Sequence, residues 1–331
     1  MGEHIRWLEN VFSQTADGGY FDFARCERAD GTFYGASGKC RKGIEVGAKE
    51  ATKSTTSPTY DSAPGSSKPL PKPSAEEDLK DARASLDKLQ KEKEEISKLD
   101  KTTSAQRARL FEIKYLLEDA NRRVSDAESG RPTTLSLEEI YSKQGFNAKP
   151  ELVGSRSDLE KRTDVLKQPN GENLILFRGV TNIEYADQFK GLGPDGGVHF
   201  PGKGIGGNGS YAVAPNSASP ERKKEAIDVA KGYARLDKKE DEERVTAFAF
   251  RNDANVVRFS GSPQEQEDAY RAWRRNILDE AESKTGRPFN DRGEAAAALG
   301  IHAYQIPRPG EDDYWVVLNR GRIIAAEKSE I

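Results

Sequence analysis

The pattern of apolar and polar positions predicts a buried strand in the middle of the chain. Residues 174–177 are all apolar and run directly into Arg178 and Gly179, and a short uninterrupted apolar run is typical of a strand buried on both faces. A charge at the end of such a strand must be paired or partly hydrated, and a glycine lets a ligand approach the backbone. We therefore predict a core strand that delivers an arginine to the rim of a cleft. The alternative is an edge-strand arginine beside a turn.

The same pattern predicts the elements on either side of this strand. Two short helices at 135–140 and 159–166 would pack ahead of the strand. A further helix begins at Ser219-Pro220, with the serine as N-cap and the proline in the first helical position. The remaining predicted elements are strands at 245–250 and 256–259, helices within 263–300, and an apolar strand after the acidic turn at 310–313.

The first 130 residues divide into three segments of different composition. Residues 1–50 form a small unit with a short amphipathic helix at 5–12 and an Asp-Gly turn at 30–31 between aromatic-rich runs, which indicates a hairpin. Residues 51–74 are rich in serine, threonine, proline and lysine and are interpreted as a disordered linker. Residues 75–130 carry two thin apolar stripes at helical spacing. They predict a helical hairpin or short coiled coil that needs a partner or self-association, with a charged solvated spacer as the alternative.

Composition narrows the classes of function. Of 331 residues, 35% are hydrophobic and 32% charged, which fits about two domains with additional linker or solvated helix. The net charge of -3 gives no global field that favours nucleic acid. No apolar run approaches the roughly 18 residues of a membrane span, and the N-terminus lacks the apolar segment of a secretory signal. We therefore expect a cytoplasmic protein with no membrane partner.

The cysteines and histidines give little support for metal chemistry. A zinc site needs about four ligands at closer spacing than that of Cys26 and Cys40, so two small buried thiols are favoured over a zinc site or a disulfide. With two cysteines in all, a reducing compartment is the default. The three histidines, His4, His199 and His302, stand far apart in the sequence. We expect no metal.

A glycine-rich segment leads into a strand of small residues at 204–214. Gly207 and Gly209 permit positive φ or close backbone approach, and Tyr211 offers a ring that can stack on a flat ligand. No Gly-Lys-Ser/Thr follows, which excludes a P-loop. A dinucleotide-binding fingerprint also fails, because these glycines open a strand instead of leaving one.

Three motifs together resemble the mono-ADP-ribosyltransferase family. They are the strand-ending Arg178-Gly179, the Gly-Asn-Gly-Ser-Tyr-Ala at 207–212, and an acidic approach to Tyr-Trp-Val-Val-Leu-Asn-Arg-Gly at 314–321. In their order and spacing they are similar to transferase domains fused to phage head proteins, and to those of bacterial exoenzymes and poly(ADP-ribose) polymerases. The resemblance begins near residue 135. It implies an α+β catalytic domain over 131–331, with a split pair of antiparallel sheets that grips NAD.

The resemblance implies a role for each matching residue. Arg178 would hold the ribose or phosphates of NAD, since a guanidinium fork suits both. The backbone of Gly179 would bind the nicotinamide carboxamide, and Tyr211 would stack on the nicotinamide ring. Ser219 lies where related enzymes carry a serine near the carboxamide, or is only an N-cap, and Tyr233 is a second stacking ring or a helix-core residue. The expected NAD-binding set also includes Gly207, Gly209 and Ser210.

The family also uses a catalytic glutamate at the start of its last long strand, where it stabilises positive charge in the transition state. In the exoenzyme register Trp315 takes this position, and in the polymerase-like register Asp313 does. Residues 311, 313 and 315 share one face of a strand. We therefore expect Asp313 to be the catalytic acid, with Glu311 as the second candidate. The alternative is that the acidic cluster is only a solvated turn.

The implied reaction cleaves the N-glycosidic bond of NAD and transfers ADP-ribose to a protein or RNA acceptor, or to water. It needs NAD as co-substrate and no metal. The implied context is a phage-type effector in the host cytoplasm, or a virion-associated protein docked through the helical hairpin. The rival is a catalytically inactive phage structural or interaction protein that retains the fold. Nucleic-acid binding through the basic residues at 41–42 and 68–72 has less support, because they are few and interleaved with prolines.

Overall fold

The computed structural model of the chain describes residues 23–27, 33–37, 68–99, 102, 104–146, 148–192, 202, 204, 206–215, 219–234 and 243–328. The chain divides into two compact units, Met1–Ser57 and Pro58–Ile331. In the first unit, β1 (Phe23–Glu27) pairs antiparallel with β2 (Phe33–Ser37), as expected of a hairpin around the Asp-Gly turn. The helix predicted at 5–12 and Cys40 lie outside the described residues.

The described part of the second unit contains eight α-helices and eight strands. The helices are α1 (Ala75–Ser97), α2 (Ser104–Glu128), α3 (Leu137–Gln144), α4 (Arg156–Glu160), α5 (Ile183–Lys190), α6 (Pro220–Ala234), α7 (Pro263–Thr285) and α8 (Arg292–Ala298). The strands are β3 (Glu151–Val153), β4 (Ile175–Gly179), β5 (Ser210–Ala214), β6 (Val245–Phe250), β7 (Val256–Val257), β8 (Ala303–Ile306), β9 (Asp313–Val317) and β10 (Ile323–Ala326).

Local sequence accounts for several of the helix ends. Ser262 and Glu265 form a capping box at the start of α7, with proline in the first turn, and Ser136 and Glu139 do the same for α3. The helix α7 ends at Gly286, whose φ of 72° is in the left-handed region that favours glycine.

The strands β3 to β10 form one mixed sheet in the order β3-β10-β6-β4-β5-β9-β8-β7. The pairs β3–β10 and β7–β8 are parallel and the others antiparallel. At the centre, β4 and β5 share a single registered pair, Phe177 with Val213, whereas β4 has five registered pairs with β6. The expected α+β class is confirmed. The sheet is continuous, and its two four-stranded halves meet at this narrow junction.

Helices cover both faces of the sheet. On one side, which we call the α5 face, Leu176 belongs to one buried cluster with Phe189 of α5. On the other side, the α6 face, Phe177 clusters with Ala230 of α6. Further along the α6 face, α7 and α8 cover β8 and β9 in a cluster that includes Tyr304. Successive strand residues alternate between the two faces.

The segments at 68–130 pack against the sheet-containing part of this unit. Residues 68–74, at the end of the segment interpreted as a linker, are extended, and Leu70 is buried with its N–H donating to the Ala298 carbonyl. The hairpin of α1 and α2 has a small apolar core of Leu89, Ile113 and Ala120. Buried arginines attach it to α3. Arg109 pairs with Glu92 and Glu138, and Arg123 with Glu139.

The helix predicted at 159–166 is wrong in its second half, because α4 ends at Glu160. Leu166 is extended instead: its N–H donates to the Phe250 carbonyl, and its own carbonyl accepts from the Leu174 N–H. The strand predicted at 256–259 is shorter, since β7 ends at Val257. Beyond it, the Phe259 N–H donates to the side chain of Gln305 on the neighbouring strand β8.

Candidate functional site

The end of β4 presents Arg178 and Gly179 to opposite faces of the sheet. The Arg178 guanidinium lies over the ring of Phe189 on the α5 face, 4.8 Å from its centroid. Gly179 lies under α6, and a Cβ there would be 1.8 Å from the carbonyl oxygen of Ala230. The glycine is therefore required by the close approach of the helix to the strand, in addition to any ligand contact.

Arg178 is a buried cation that pairs with no carboxylate among the described residues. It is 9% exposed, and within the described residues it forms neither an ion pair nor a hydrogen bond, with Nη1 fully buried. Burial lowers its pKa to about 10, and no neighbouring charge opposes this shift. The Phe189 ring offsets part of the desolvation cost, but a buried unpaired charge still costs several kcal/mol in order-of-magnitude terms. An anionic ligand would remove this cost.

The glycine-rich loop is held by hydrogen bonds from two tyrosines. The hydroxyl of Tyr211 donates to the Gly207 carbonyl over 2.7 Å and accepts from the Gly206 N–H over 2.9 Å. The hydroxyl of Tyr304 donates to the Gly206 carbonyl over 2.9 Å. Both possibilities given for Gly207 are observed: its φ is +132°, and a Cβ there would approach the Tyr304 hydroxyl to 2.5 Å. The hydroxyl of Tyr211 is thus committed to the loop, while its ring is half-buried on the α6 face.

Asp291 anchors the glycine-rich loop and was not among the predicted site residues. Asp291, the N-cap of α8, accepts from the N–H of Asn208 over 2.8 Å, and the Asn208 side chain donates to Glu294 over 3.2 Å. Burial raises the pKa of Asp291. In the sequence, Asp291 stands ahead of an alanine-rich run, which indicates an ordinary helix start. That pattern does not identify Asn208 as the residue whose N–H the carboxylate accepts from.

Tyr233 joins a chain of polar contacts on the α6 face. Its hydroxyl donates to the hydroxyl of Tyr314 over 3.0 Å, and the two rings meet edge to face at 6.2 Å. The guanidinium of Arg308 lies 4.5 Å from the Tyr314 ring centroid and pairs with Glu311. Burial raises the pKa of Tyr233. The structure therefore brings Gly179, Tyr211 and Tyr233 to one face of the sheet. Glu311 is linked to this face through Arg308, which pairs with Glu311 and contacts the ring of Tyr314.

Asp313 lies on the opposite, α5 face. Its two oxygens accept from the side-chain amide of Gln305 over 2.6 Å and from the Arg308 N–H over 3.0 Å. The ladder sets Asp313 opposite Ala214, so the strand β5 separates it from β4 and Arg178. Burial raises the pKa of Asp313. The structure does not bring this carboxylate together with Tyr211 or Tyr233.

The shared strand face expected for residues 311 and 313 is not observed. The strand β9 begins at Asp313, and Glu311 lies in the preceding turn, where its exposed side chain pairs with Arg308. Alternation does not continue through a turn, so the two side chains take independent directions. Asp312, between them, is buried.

The two candidate serines lie in different surroundings. Ser210 is buried in the first position of β5, opposite Val317. The Ser219 hydroxyl accepts from the Arg222 N–H over 3.2 Å, which is the N-cap geometry that formed one of its two interpretations. Gly209 precedes Ser210, and its N–H donates to the Gly202 carbonyl over 2.8 Å.

A cavity of about 260 Å³ lies on the α6 face at the other end of α6. Ile175 and Phe177 contribute to its lining, together with Arg156 and Lys223. Both cations are paired, Arg156 with Glu160 and Lys223 with Glu172. Neither Tyr211 nor Tyr233 lines this cavity.

Two properties of the described residues bear on other classes of function. They contain no group of three or more His, Cys, Asp and Glu side chains that could hold a metal ion. Among them, no helix is both long and apolar enough to span a membrane.

Comparison with known proteins identified no similar protein. No protein-family model, curated protein or solved structure matches the chain.

Proposed function

We propose that the chain is an ADP-ribosyltransferase, which cleaves the nicotinamide N-glycosidic bond of NAD and transfers ADP-ribose to a macromolecular acceptor. The observation that carries the proposal is Arg178, a buried guanidinium with no carboxylate partner in the described structure, at the end of the strand where the two halves of the sheet meet. A cation in this position fits the charged phosphates of a dinucleotide.

The neighbouring residues support the recognition of a flat ring. The strand β4 ends at Gly179 and the antiparallel β5 begins at Ser210, so both strand ends lie at one edge of the sheet. Tyr211 and Tyr233 belong to the α6 face at this edge, as does Gly179. A ligand held there has a guanidinium on one side of β4 and aromatic rings on the other. The nicotinamide ring would stack on the tyrosines while Arg178 holds the phosphates.

Glu311 is the carboxylate that the geometry favours for the acid role. It is half-exposed and therefore accessible to substrate, and the cation that orients it, Arg308, contacts Tyr314 on the face of Tyr233. Asp313, the first expectation, has both oxygens engaged on the other face. A carboxylate acts in this reaction by stabilising the positive charge that develops on the ribose as the bond to nicotinamide breaks.

Release of nicotinamide is the direct test. The full chain is incubated with NAD labelled in the adenylate part, alone and with a host lysate, and nicotinamide and label transfer are measured. We expect nicotinamide release that is lost in Arg178→Lys, because a point charge does not replace a planar fork. Arg156→Lys is the matched control, since this arginine also lies over a phenylalanine, Phe177, and already has an ion-pair partner. Wild-type protein that binds NAD without releasing nicotinamide would contradict the proposal.

A second candidate function is an interaction protein that retains the fold without the reaction. The commitment of both Asp313 oxygens to Gln305 and Arg308 favours it, because the position that the polymerase-like register assigns to the acid is then structural. In this case the same assay gives no turnover in wild type or variants. In either role the proposed setting is the host cytoplasm or the virion, with the α1–α2 hairpin as the contact region.

A further inference from the structure

The cavity on the α6 face contains a polar side chain that the described part of the protein leaves unsatisfied. Gln168 lines this cavity and is 8% exposed, yet its side-chain amide forms no hydrogen bond with any described residue. Its backbone is engaged, because the N–H donates to the Glu172 carbonyl over 2.7 Å and the carbonyl accepts from the Gly171 N–H over 2.9 Å. A tight turn therefore holds Gln168 in place, and its amide remains available to a ligand in the cavity.

A second amide in the cavity lining is fully used by the fold. The side chain of Asn173 donates to the carbonyls of Leu159 and Arg162, over 2.9 Å in each case, and accepts from the ammonium group of Lys167. Asn173 is thus a structural part of the cavity wall. A largely buried amide without a hydrogen bond costs about 1–3 kcal/mol, so a ligand that pairs with Gln168 would remove this cost.

The charged groups that line the cavity do not balance. Arg156 pairs with Glu160 and Lys223 pairs with Glu172, whereas the ammonium group of Lys167 contacts a neutral amide oxygen and no carboxylate among the described residues. Three cations against two carboxylates leave the lining with one net positive charge. Lys167 is exposed, so its charge can attract an anion to the cavity without being buried itself.

The remainder of the lining favours an apolar ring. Ile175, Phe177 and Pro215 are buried residues that contribute apolar surface to the cavity. Its volume of about 260 Å³ is slightly below the roughly 300–1,000 Å³ of pockets that hold drug-sized ligands. The cavity therefore has room for a molecule with a single ring and a short polar substituent.

We propose that this cavity is a binding site for a small aromatic monocarboxylate. The ring packs on the apolar lining, and the carboxylate accepts hydrogen bonds from the Gln168 amide and the Lys167 ammonium group. A carboxylate only accepts, which matches two groups that donate, and its single charge matches the net charge of the lining. No residue expected to bind NAD lines the cavity, so the site is independent of the proposed function.

4-Fluorobenzoate is the probe for this site, and its binding to the full chain is measured by fluorine NMR at fixed ionic strength. The neutral match is 4-fluorobenzyl alcohol. We expect a Kd of about 1 mM or tighter for the carboxylate, a typical affinity for a ligand of this size. The alcohol should bind at least about tenfold more weakly, because it lacks the charge-assisted hydrogen bonds. Equal affinities for the two probes would overturn the carboxylate assignment, and no carboxylate binding at about 10 mM would overturn the site.

Gln168→Met and Lys167→Met test the two donors, since each variant keeps the length of the side chain and removes its polar group. Each should weaken 4-fluorobenzoate binding by about tenfold, the size expected for a hydrogen bond to a charged group. Lys167→Met should leave the affinity for the alcohol unchanged. The thermal midpoint of each free variant verifies its folding, and Lys167 is exposed, so its substitution tests the site even if Gln168→Met does not fold.

Lys284→Met is the matched control. It also removes one positive charge, but Lys284 lies on α7, pairs with Glu280 and does not line the cavity. We expect it to bind 4-fluorobenzoate as wild type does. A loss as large as that of Lys167→Met would show that only the net charge of the protein matters and would overturn the site. Wild-type affinity in both cavity variants would overturn it as well.

Addition of NAD distinguishes this cavity from the site of the proposed function. We expect the full chain to bind 4-fluorobenzoate with the same affinity in the presence and absence of NAD. Displacement of the probe by NAD would overturn the inference of a separate site and would make the cavity part of the dinucleotide site. Probe binding is measured without turnover, so absence of nicotinamide release would contradict the proposed function and leave this site unaffected.

Discussion

The hydroxyl of Tyr233 donates to the hydroxyl of Tyr314 over 3.0 Å and so joins the last turn of α6 to β9. A ring that stacks on nicotinamide must keep its plane but not its hydroxyl. We therefore expect Tyr233→Phe to retain NAD affinity and Tyr233→Leu to lose about tenfold, the order of an aromatic stacking contribution. Calorimetry with NAD measures both. Tyr314→Phe is the control that removes only the hydrogen bond between the two hydroxyls. Equal NAD affinities in Tyr233→Leu and wild type would exclude the stacking role.

Arg178→Met should separate ligand binding from folding. The substitution removes a buried charge that has no ion-pair partner among the described residues and leaves an unbranched apolar chain over Phe189. We expect the free protein to be at least as stable as wild type in urea unfolding, because the desolvation cost disappears. NAD binding should be lost. A large loss of stability would show that the guanidinium is a structural group and not a ligand group.

The three acidic residues before β9 should respond differently to loss of charge. Glu311→Gln should lower the rate of nicotinamide release by about a hundredfold or more, with little change in NAD affinity, because the carboxylate acts in the transition state. Asp313→Asn should leave the rate within about threefold of wild type, since Asp313 faces away from the tyrosines. Asp312→Asn completes the series. Single-turnover kinetics measure all three, and a rate that depends on Asp313 and not on Glu311 would restore the first expectation.

The ion pair of Arg287 with Asp78, 2.6 Å apart and almost completely buried, should be the strongest attachment of α1. Asp78→Asn leaves a buried guanidinium uncompensated and should lower the free energy of unfolding by about 3–5 kcal/mol. Replacing both residues, as Asp78→Leu with Arg287→Met, should recover most of the loss. Arg83→Met is the control, because its pair with Glu128 is exposed and should be worth less than about 1 kcal/mol. Denaturant unfolding measures each variant.

His302 should make stability depend on pH below neutrality. It is 1% exposed, its Nδ1 accepts from the Asn255 N–H over 2.9 Å, and burial lowers its pKa from 6.5 to about 4. The folded state thus favours the neutral imidazole. The contribution of His302 to the free energy of unfolding is therefore fully present above pH 6.5 and is lost as the pH decreases toward 4. Between pH 7 and 5 we expect a loss of about 2 kcal/mol.

His302→Gln provides the comparison for this pH effect. The glutamine amide retains an acceptor for the Asn255 N–H but does not titrate. The loss of unfolding free energy between pH 7 and 5 should therefore be smaller in this variant by about 2 kcal/mol. Equal pH dependence in the two proteins would show that folding does not lower the pKa of His302.

Much of the local structure followed from local sequence. The uninterrupted apolar run predicted β4, and Ser219-Pro220 predicted the start of α6. The glycines before Tyr211 indicated a positive φ or a close backbone approach, and Gly207 has a positive φ. Each of these features depends on neighbouring residues alone: the spacing of apolar positions, a cap, or a missing Cβ. The false continuation of the helix at 159–166 arose because long-range pairing of Leu166 with Phe250 overrode local helical spacing.

The grouping of side chains into a site was decided by tertiary structure. Alternation along a strand is local, but the register between strands determines which residues of different strands share a face, and a shift of one residue reverses the assignment. That register sets Arg178 beside Thr246, and Asp313 opposite Ala214 on the face away from Tyr211. A lone threonine within the apolar run of β6 carried no signal of its own. Only pairing with β4 places its hydroxyl beside a buried guanidinium.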